Sequence, residues 1–280
     1  MGRLGSGHKE PMTNELVLSS TSADAYRQCA YRFYLEYVEM VPQVQNVRAA
    51  IGMAVHAAVE EYYTLRLMGL DHEHIVADHI EALEDAYETI CAIELAMVAE
   101  PEENVGKAIA SGQRSFWTYL EDVAPSVEPL YVEKALRIDI DGIPYSIHPD
   151  LIDDDCVVRD LKVKRSKPRD PTVYAFQQNG YAIGYRLLIG QKERDIQLDI
   201  IIRLLRDRPY YWPIRNGGPA SDYAIRLFTN QLTDVANGIA KGRYPPEGLE
   251  NGACRWCPVR HACRPYQERE ASHARDQDES

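Results

Sequence analysis

The sequence predicts an α/β fold in which helices flank a mixed sheet. Strand-like stretches occur in the middle of the 280-residue chain, at "LYVEKALRIDI", "IPYSIHPDLI", "CVVRDLKVK" and "IQLDIIIRLL". Amphipathic helical patterns precede, interrupt and follow these stretches, and such alternation is typical of a sheet covered by helices. Hydrophobic residues make up 45% of the chain, which is enough to form a core of this kind.

The individual elements follow from periodicity and from turn signals. Helices are predicted at residues 21–40, from near Gly52 onward, at 73–98, at 104–122, within "VYAFQQNGYAIGYRLLIG" and at 222–240. Asp141-Gly142 indicates a hairpin between the first two strands. The paired Val157 and Val158 favour a strand that is buried on both faces.

These elements suggest five consecutive segments. Residues 1–18 are expected to form a flexible tail, 19–125 a helical N-terminal portion, 126–249 the sheet-bearing core, 250–268 a cysteine segment and 269–280 a second flexible tail.

Composition and charge exclude several classes of protein. The net charge of −12 argues against a protein that coats nucleic acid without specificity, although local basic grooves remain compatible with it. The sequence contains no run of about 18 apolar residues, so no membrane span is predicted. Residues 1–11 lack the apolar stretch of a signal peptide. A reducing cytoplasm is the expected location.

Carboxylates and a lysine lie together around one strand. Asp160 and Lys162 are two residues apart, so their side chains share a strand face. Both are costly to bury unless a partner such as a divalent metal compensates their charges. Asp150, on the preceding strand, could converge on the same point, and Pro149 indicates a distorted edge there. An ordinary hairpin with solvated charges is the alternative interpretation.

Two further positions have both a structural and a functional interpretation. Gln177 and Tyr181 are four residues apart and share a helical face. They are either part of a polar helix surface with a core tyrosine or groups that position a phosphate or a water. His56 lies on an otherwise apolar helix, as a core residue or as a nitrogen ligand for a metal.

The segment "CRWCPVRHAC" places Cys254, Cys257 and Cys263 in a C-x2-C-x5-C pattern. Clustered thiolates in a reducing compartment favour zinc or an iron–sulfur cluster over disulfides. Three thiolates leave a four-ligand site one short. Cys29 is the best distant candidate for the fourth ligand, and His261 is the local, zinc-type alternative.

Taken in order from residue 20 to 265, these motifs resemble the RecB-like branch of the PD-(D/E)xK nuclease superfamily. Within that branch they are most similar to the CRISPR-associated RecB-like exonucleases with a [4Fe–4S] cluster and to their stand-alone bacterial and phage relatives. The matching pieces are "RQCAYRFYLEY", Gly52-x-x-x-His56, Asp150, Asp160-x-Lys162, Gln177-x-x-x-Tyr181 and "CRWCPVRHAC". Ile147 replaces the family's usual glycine, and Val163 replaces the threonine that commonly follows the lysine.

The resemblance implies a restriction-endonuclease-like core with a C-terminal iron–sulfur segment, and it assigns roles to residues. A catalytic Mg²⁺ or Mn²⁺ would be held by His56, Asp150, Asp160 and the Leu161 carbonyl, and Lys162 would orient or activate water and offset charge on the scissile phosphate. Gln177 and Tyr181 would lie beside DNA, and Cys29, Cys254, Cys257 and Cys263 would hold the cluster. Lys164, Arg165, Lys167 and Arg169 would attract the DNA backbone.

The function implied is metal-dependent hydrolysis of DNA, by an exonuclease on single strands. It would serve repair and recombination or CRISPR adaptation and antiviral defence, with a helicase or CRISPR integrase as a possible partner. The alternative function is that of a non-catalytic iron–sulfur subunit that binds DNA within a larger complex, and a zinc-bearing structural protein is a further alternative.

Overall fold

A computed structural model describes residues 17–98, 101–132 and 135–278, with side chains up to residue 272, and about half of these residues are in α-helices. The helices are α1 (Ser20–Gln28), α2 (Ala30–Phe33), α3 (Val47–Leu67), α4 (His72–Asp78), α5 (Ile80–Leu95), α6 (Val105–Asp122), α7 (Ala175–Ile189), α8 (Asp222–Ala240), α9 (Gly248–Asn251) and α10 (Arg264–Asp278). None of them, within the described ranges, is long and apolar enough to cross a membrane.

Among the described residues, eight strands form two sheets. The strands are β1 (Leu18–Ser19), β2 (Pro129–Val132), β3 (Leu136–Ile140), β4 (Ile143–Ile147), β5 (Leu151–Asp153), β6 (Val157–Lys164), β7 (Asp195–Ile202) and β8 (Tyr210–Arg215). The larger sheet has the order β2-β5-β6-β7-β8, and the smaller has the order β1-β4-β3.

Strand β6 lies at the centre of the larger sheet. It pairs antiparallel with β5 and parallel with β7, so the sheet is mixed, as predicted. The parallel pair requires a crossover, which α7 supplies. In β7, Ile196 to Ile202 are all buried, as expected for a strand covered on both faces.

Helices cover the two faces of this sheet separately. On one face, α3, α5 and α6 bury a core that includes Leu151, Leu161 and Ile201. On the other, α7 and α8 pack with α1 over Ile152 and Val158. Gly112 allows α6 to approach its neighbours closely, because a Cβ there would overlap Ile51 of α3 and Tyr87 of α5.

The structure differs from the predicted elements in several places. The stretches "LYVEKALRIDI" and "IPYSIHPDLI" each contain two strands, which belong to different sheets. The helix expected at 21–40 breaks at Cys29, whose backbone is extended at φ −165° and ψ 107°. The helix expected at 73–98 is two helices, α4 and α5. Strands β1 and β8 were not predicted. Helix α10 includes residues that we expected to belong to the C-terminal tail, whereas residues 1–16 of the N-terminal tail lie outside the described ranges.

Candidate active site

Asp160 and Lys162 form an ion pair in the middle of the central strand. Asp160 is 1% exposed, and its Oδ1 accepts a hydrogen bond of 2.7 Å from the Lys162 ammonium. The other carboxylate oxygen, Oδ2, is buried and accepts no hydrogen bond from any residue that the structure describes. One oxygen of a buried carboxylate therefore has no hydrogen-bond donor or cation beside it. Burying it in this way is costly in a folded protein unless a ligand supplies the partner.

Asp150 approaches this pair from the neighbouring strand. It directly precedes β5, whose Leu151 is paired with Arg159 of β6, so Asp150 comes to lie beside Asp160. The Leu161 amide donates a hydrogen bond of 2.6 Å to Asp150 Oδ2, which fixes that carboxylate against β6. The same oxygen lies 3.6 Å from His56 Nδ1.

His56 reaches the site from α3. The apolar side of that helix buries Ala54, Val55 and Ala58 in the core, which leaves His56 at the edge with 27% of its side chain exposed. Three elements, α3, the start of β5 and β6, therefore bring together the histidine and the two aspartates predicted from the sequence.

The charges of the pair stabilise each other against burial. Burial raises the pKa of Asp160, the Lys162 ammonium lowers it, the Asp150 charge raises it, and the net direction is upward. For Lys162, burial lowers the pKa, but the attraction of Asp160 and Asp150 together outweighs it and the pKa is raised. The two carboxylates therefore favour the charged form of the lysine.

The donor set fits a hard divalent cation. Two carboxylates, one of them with an unpartnered buried oxygen, and an imidazole are the ligands that Mg²⁺ and Mn²⁺ accept. Within the described ranges, however, no three His, Cys, Asp or Glu side chains are already arranged as a metal centre.

A buried ionic network supports the site from the opposite face of β6, and the sequence interpretation missed it. Arg159 donates to Asp153 Oδ2 at 2.7 Å and to Asp199 Oδ2 at 3.1 Å. Gln197 and Tyr211 each donate to Asp199 Oδ1 at 2.6 Å. The signal was present in β7, where Gln197 and Asp199 are polar, two apart and surrounded by apolar residues.

This network borders the catalytic candidates. Arg159 and Asp199 line a small cavity of about 10 Å³ that is also bounded by His56, Asp150 and Leu161.

An open cleft of about 570 Å³ lies between α3 and the end of β6 and reaches His56 and Lys162. Its lining includes five basic side chains, those of Arg48, Lys162, Lys164, Arg165 and Arg203. Two glutamates next to α6 offset part of this charge. Glu102 lies 3.6 Å from Arg48, and Glu103 pairs with Arg165 at 3.4 Å and with Arg203 at 2.5 Å.

The remaining predicted DNA contacts are distributed around this cleft. Burial and the neighbouring Lys162 charge lower the pKa of Lys164. Lys167 extends over two rings of β8, with its Nζ 4.8 Å from the Trp212 ring centre. Arg169 is exposed in the following loop and is not part of the cleft lining.

Gln177 and Tyr181 of α7 lie on the Asp160 face of the sheet. The Gln177 amide donates to the Tyr181 hydroxyl at 2.7 Å, so the predicted shared helical face exists. Burial raises the pKa of Tyr181, and the Asp160 and Asp150 charges raise it further. The phenol therefore stays protonated within electrostatic range of both carboxylates.

The four predicted cysteines line one further cavity, together with Gly248. Cys29 lies at the break between α1 and α2, and the C-terminal segment fixes that break. Glu247 accepts a hydrogen bond from the Ala30 amide at 3.0 Å, and Asn251 donates to the Gln28 carbonyl at 2.7 Å. His261 is exposed and outside this cavity, so it is not placed as the fourth member of the group.

The thiols of this cavity are close enough to influence one another. Burial raises the pKa of Cys254, and the neighbouring Cys29 and Cys263 raise it further. A Cβ added at Gly248 would lie 3.2 Å from the Cys254 sulfur and 3.3 Å from the Cys29 sulfur. The glycine therefore leaves room between sulfur atoms that a side chain would fill. All six cysteines are free.

Replacing Arg159 by methionine should strongly destabilise the protein. The substitution leaves Asp153 and Asp199, which are 3% and 1% exposed, without their cation. Breaking a buried pair in this way costs about 3–5 kcal/mol, measured as the free energy of unfolding in urea. Arg194→Met is the control, because it removes only a surface pair with Asp155 and should change little. Equal stabilities of the two variants would contradict the role given to Arg159.

Comparisons with known proteins agree with this geometry. Residues 17–264 match the sequence model of the PD-(D/E)XK nuclease superfamily. The fold is similar to the crystal structure of a "Putative exonuclease" from Eubacterium rectale, with a TM-score of 0.56, 11% identity, and coverage of 88% of this chain and 89% of that chain.

A second solved structure, SSO0001, aligns over 88% of this chain and 96% of its own at 13% identity, with a TM-score of only 0.36. No curated protein matches the sequence. The family match extends over most of the chain and includes every residue of the site described above. The chain belongs to the PD-(D/E)XK nuclease superfamily.

Proposed function

We propose that this nuclease is a divalent-metal-dependent deoxyribonuclease that degrades single-stranded DNA from an end. The observation that carries the metal-dependent chemistry is the unpartnered Oδ2 of Asp160, buried beside Asp150 and next to a charged lysine. End-directed cleavage is the mode attributed to the neighbour from Eubacterium rectale, and it fits the motif order that resembles RecB-like exonucleases.

The ion would be held by Asp150, Asp160, the Leu161 carbonyl and His56. PD-(D/E)XK nucleases generally use Mg²⁺ or Mn²⁺, and this donor set suits both. When bound, such an ion stabilises charge on the phosphate and makes the attacking water more acidic. The Leu161 amide keeps Asp150 oriented through its hydrogen bond, so the carboxylates stay on one side of the strand.

Lys162 would act through its positive charge. It would donate to a phosphate oxygen and orient or activate the attacking water. Gln177 and Tyr181 would contact the DNA from the α7 side. Lys164, Arg165, Lys167 and Arg169 would bind the phosphates of the strand that leads to the site.

Variants of Asp160 and Lys162 should fail in different ways. Asp160→Ala removes a metal ligand, so both Mn²⁺ affinity, measured by calorimetry, and cleavage should fall. Lys162→Ala keeps both aspartates, so Mn²⁺ should still bind while cleavage of end-labelled single strands falls by on the order of a hundredfold or more.

Lys192→Ala is the matched control, because this exposed lysine pairs with Asp222 away from the site. It should cut at the wild-type rate. A Lys162→Ala protein that also cuts at that rate would remove Lys162 from the catalytic assignment. A wild-type protein that binds DNA but cuts no strand with Mg²⁺ or Mn²⁺ would favour the non-catalytic subunit instead.

We further propose that Cys29, Cys254, Cys257 and Cys263 hold a [4Fe–4S] cluster. Support comes from the shared cavity, the free thiols and the space that Gly248 leaves between the sulfurs of Cys29 and Cys254. Four thiolates are the ligand set of a cubane cluster. Cluster binding would join two segments that are far apart in sequence and would therefore stabilise the fold.

Protein purified without oxygen should contain about four iron and four sulfide per chain. Cys29→Ala should lose the cluster and lower the melting temperature. Cys91→Ala should keep the cluster, because Cys91 is buried among α5 residues outside the cysteine cavity. One zinc per chain without sulfide would contradict the proposal, as would a full iron content in the Cys29→Ala variant.

A further inference from the structure

Strand β8 presents aromatic side chains on the sheet face that carries Asp160 and Lys162. Lys162 is paired with Ile200 of β7, and Ile200 is paired with Trp212 of β8. The three residues form one row across the sheet. At about 4.8 Å between neighbouring strands, the Trp212 backbone lies about 10 Å from that of Lys162.

Two more aromatic residues lie beside this row on the same face of the sheet. Tyr210 is two positions before Trp212 on β8, on the same face and 40% exposed. Tyr174, in the turn that precedes α7, packs with Trp212 over Leu198, Ile200 and Ile202. Burial raises the pKa of Tyr174, and its phenol lies near enough to Lys162 and Asp160 for both charges to act on it. We call Tyr174, Tyr210 and Trp212 the aromatic platform.

Lysines lie over the rings of this platform. The Lys167 ammonium is 4.8 Å from the ring centre of Trp212 and 5.8 Å from that of Tyr210. The Lys164 ammonium is 5.6 Å from the ring centre of Tyr174. The surface therefore combines flat aromatic faces with positive charge beside the catalytic pair, which complements the bases and the phosphates of one DNA strand.

A purely structural role explains only part of this arrangement. The rings do cover three apolar residues of β7, but that cover does not require an exposed Tyr210 or a lysine that reaches back over two rings. Stacking of a base on an aromatic ring is stronger than an exposed cation–π contact. A base can therefore displace Lys167 from the ring and leave its ammonium for the adjacent phosphate.

We propose that the aromatic platform, with Lys164 and Lys167, is a base-stacking surface that selects single-stranded DNA and leads it to the Asp160–Lys162 pair. The inference rests on the proposed nuclease function and names its substrate surface. A duplex cannot use this surface, because its bases are already stacked on each other inside the helix. Tyr210 and Trp212, two residues apart on a strand, are separated by about 6.8 Å, which suits an extended strand with its bases apart.

The test measures DNA binding without metal, so that cleavage does not interfere. Single-stranded oligodeoxynucleotides carrying one 2-aminopurine report stacking as a loss of fluorescence, and an abasic strand of equal length reports the phosphate contacts alone. Tyr210→Ala removes an exposed ring. Trp212→Leu keeps an apolar cover over β7, and its melting temperature checks the fold. Tyr223→Ala is the matched control, because Tyr223 is 68% exposed on α8 and outside the platform.

Each platform variant should weaken binding of the normal strand by about 5- to 100-fold, the loss expected for one stacked base. The abasic strand should bind Tyr210→Ala, Trp212→Leu and the wild-type protein equally. Tyr223→Ala should bind like the wild type. Lys167→Gln should reduce the salt dependence of binding by about one phosphate contact.

The outcomes separate this inference from the proposed function. A wild-type protein that cuts DNA with Mn²⁺, together with platform variants that keep wild-type affinity and unchanged 2-aminopurine fluorescence, would overturn the platform and leave the nuclease intact. If Trp212→Leu does not fold, Tyr210→Ala decides alone. A wild-type protein that stacks 2-aminopurine but cuts no strand would keep the platform and refute the nuclease proposal.

Discussion

The burial of the Asp160 carboxylate in the central strand is the constraint on which the rest of the structure depends. A charge in that position requires compensation, and Lys162 supplies it to only one of the two oxygens. The proposed cation would meet this second oxygen and would be shared by the carboxylates of Asp150 and Asp160, which otherwise repel each other. Binding of that ion would then compensate the burial of the oxygen.

The other elements hold this arrangement in place. The Leu161 amide binds Asp150, Arg159 joins Asp153 of β5 to Asp199 of β7, and both interactions cross between strands of the same sheet. One face of the strand therefore carries Asp160 and Lys162, and the opposite face carries Arg159 with its ion pairs to the neighbouring strands. The face that carries Lys162 continues over β7 to Trp212, which connects the chemistry to a surface suited to a DNA strand.

The sequence predicted the mixed sheet and the convergence of Asp150, Asp160 and His56, because these depend on local periodicity and on a motif order that the family preserves. Strand β8 was not predicted. Pro213 argues against the interior of a strand, but β8 lies at the edge of its sheet, where proline is tolerated. The break at Cys29 was not predicted either, because the group that accepts the hydrogen bond of the Ala30 amide there is Glu247, which is distant in sequence. The pairing of Arg159 with Asp199 depends on strand order, which a single sequence does not encode locally.

The central claim is that Asp160 and Asp150 share a divalent ion, and diffraction at the manganese absorption edge tests it most directly. Crystals soaked in Mn²⁺ should show an anomalous peak about 2.1 Å from the Oδ2 atom of Asp160 and in contact with Asp150. Crystals of Asp160→Asn under the same conditions should lose that peak. A peak confined to surface carboxylates such as Asp154 and Asp155, or an unchanged peak in the variant, would contradict the account.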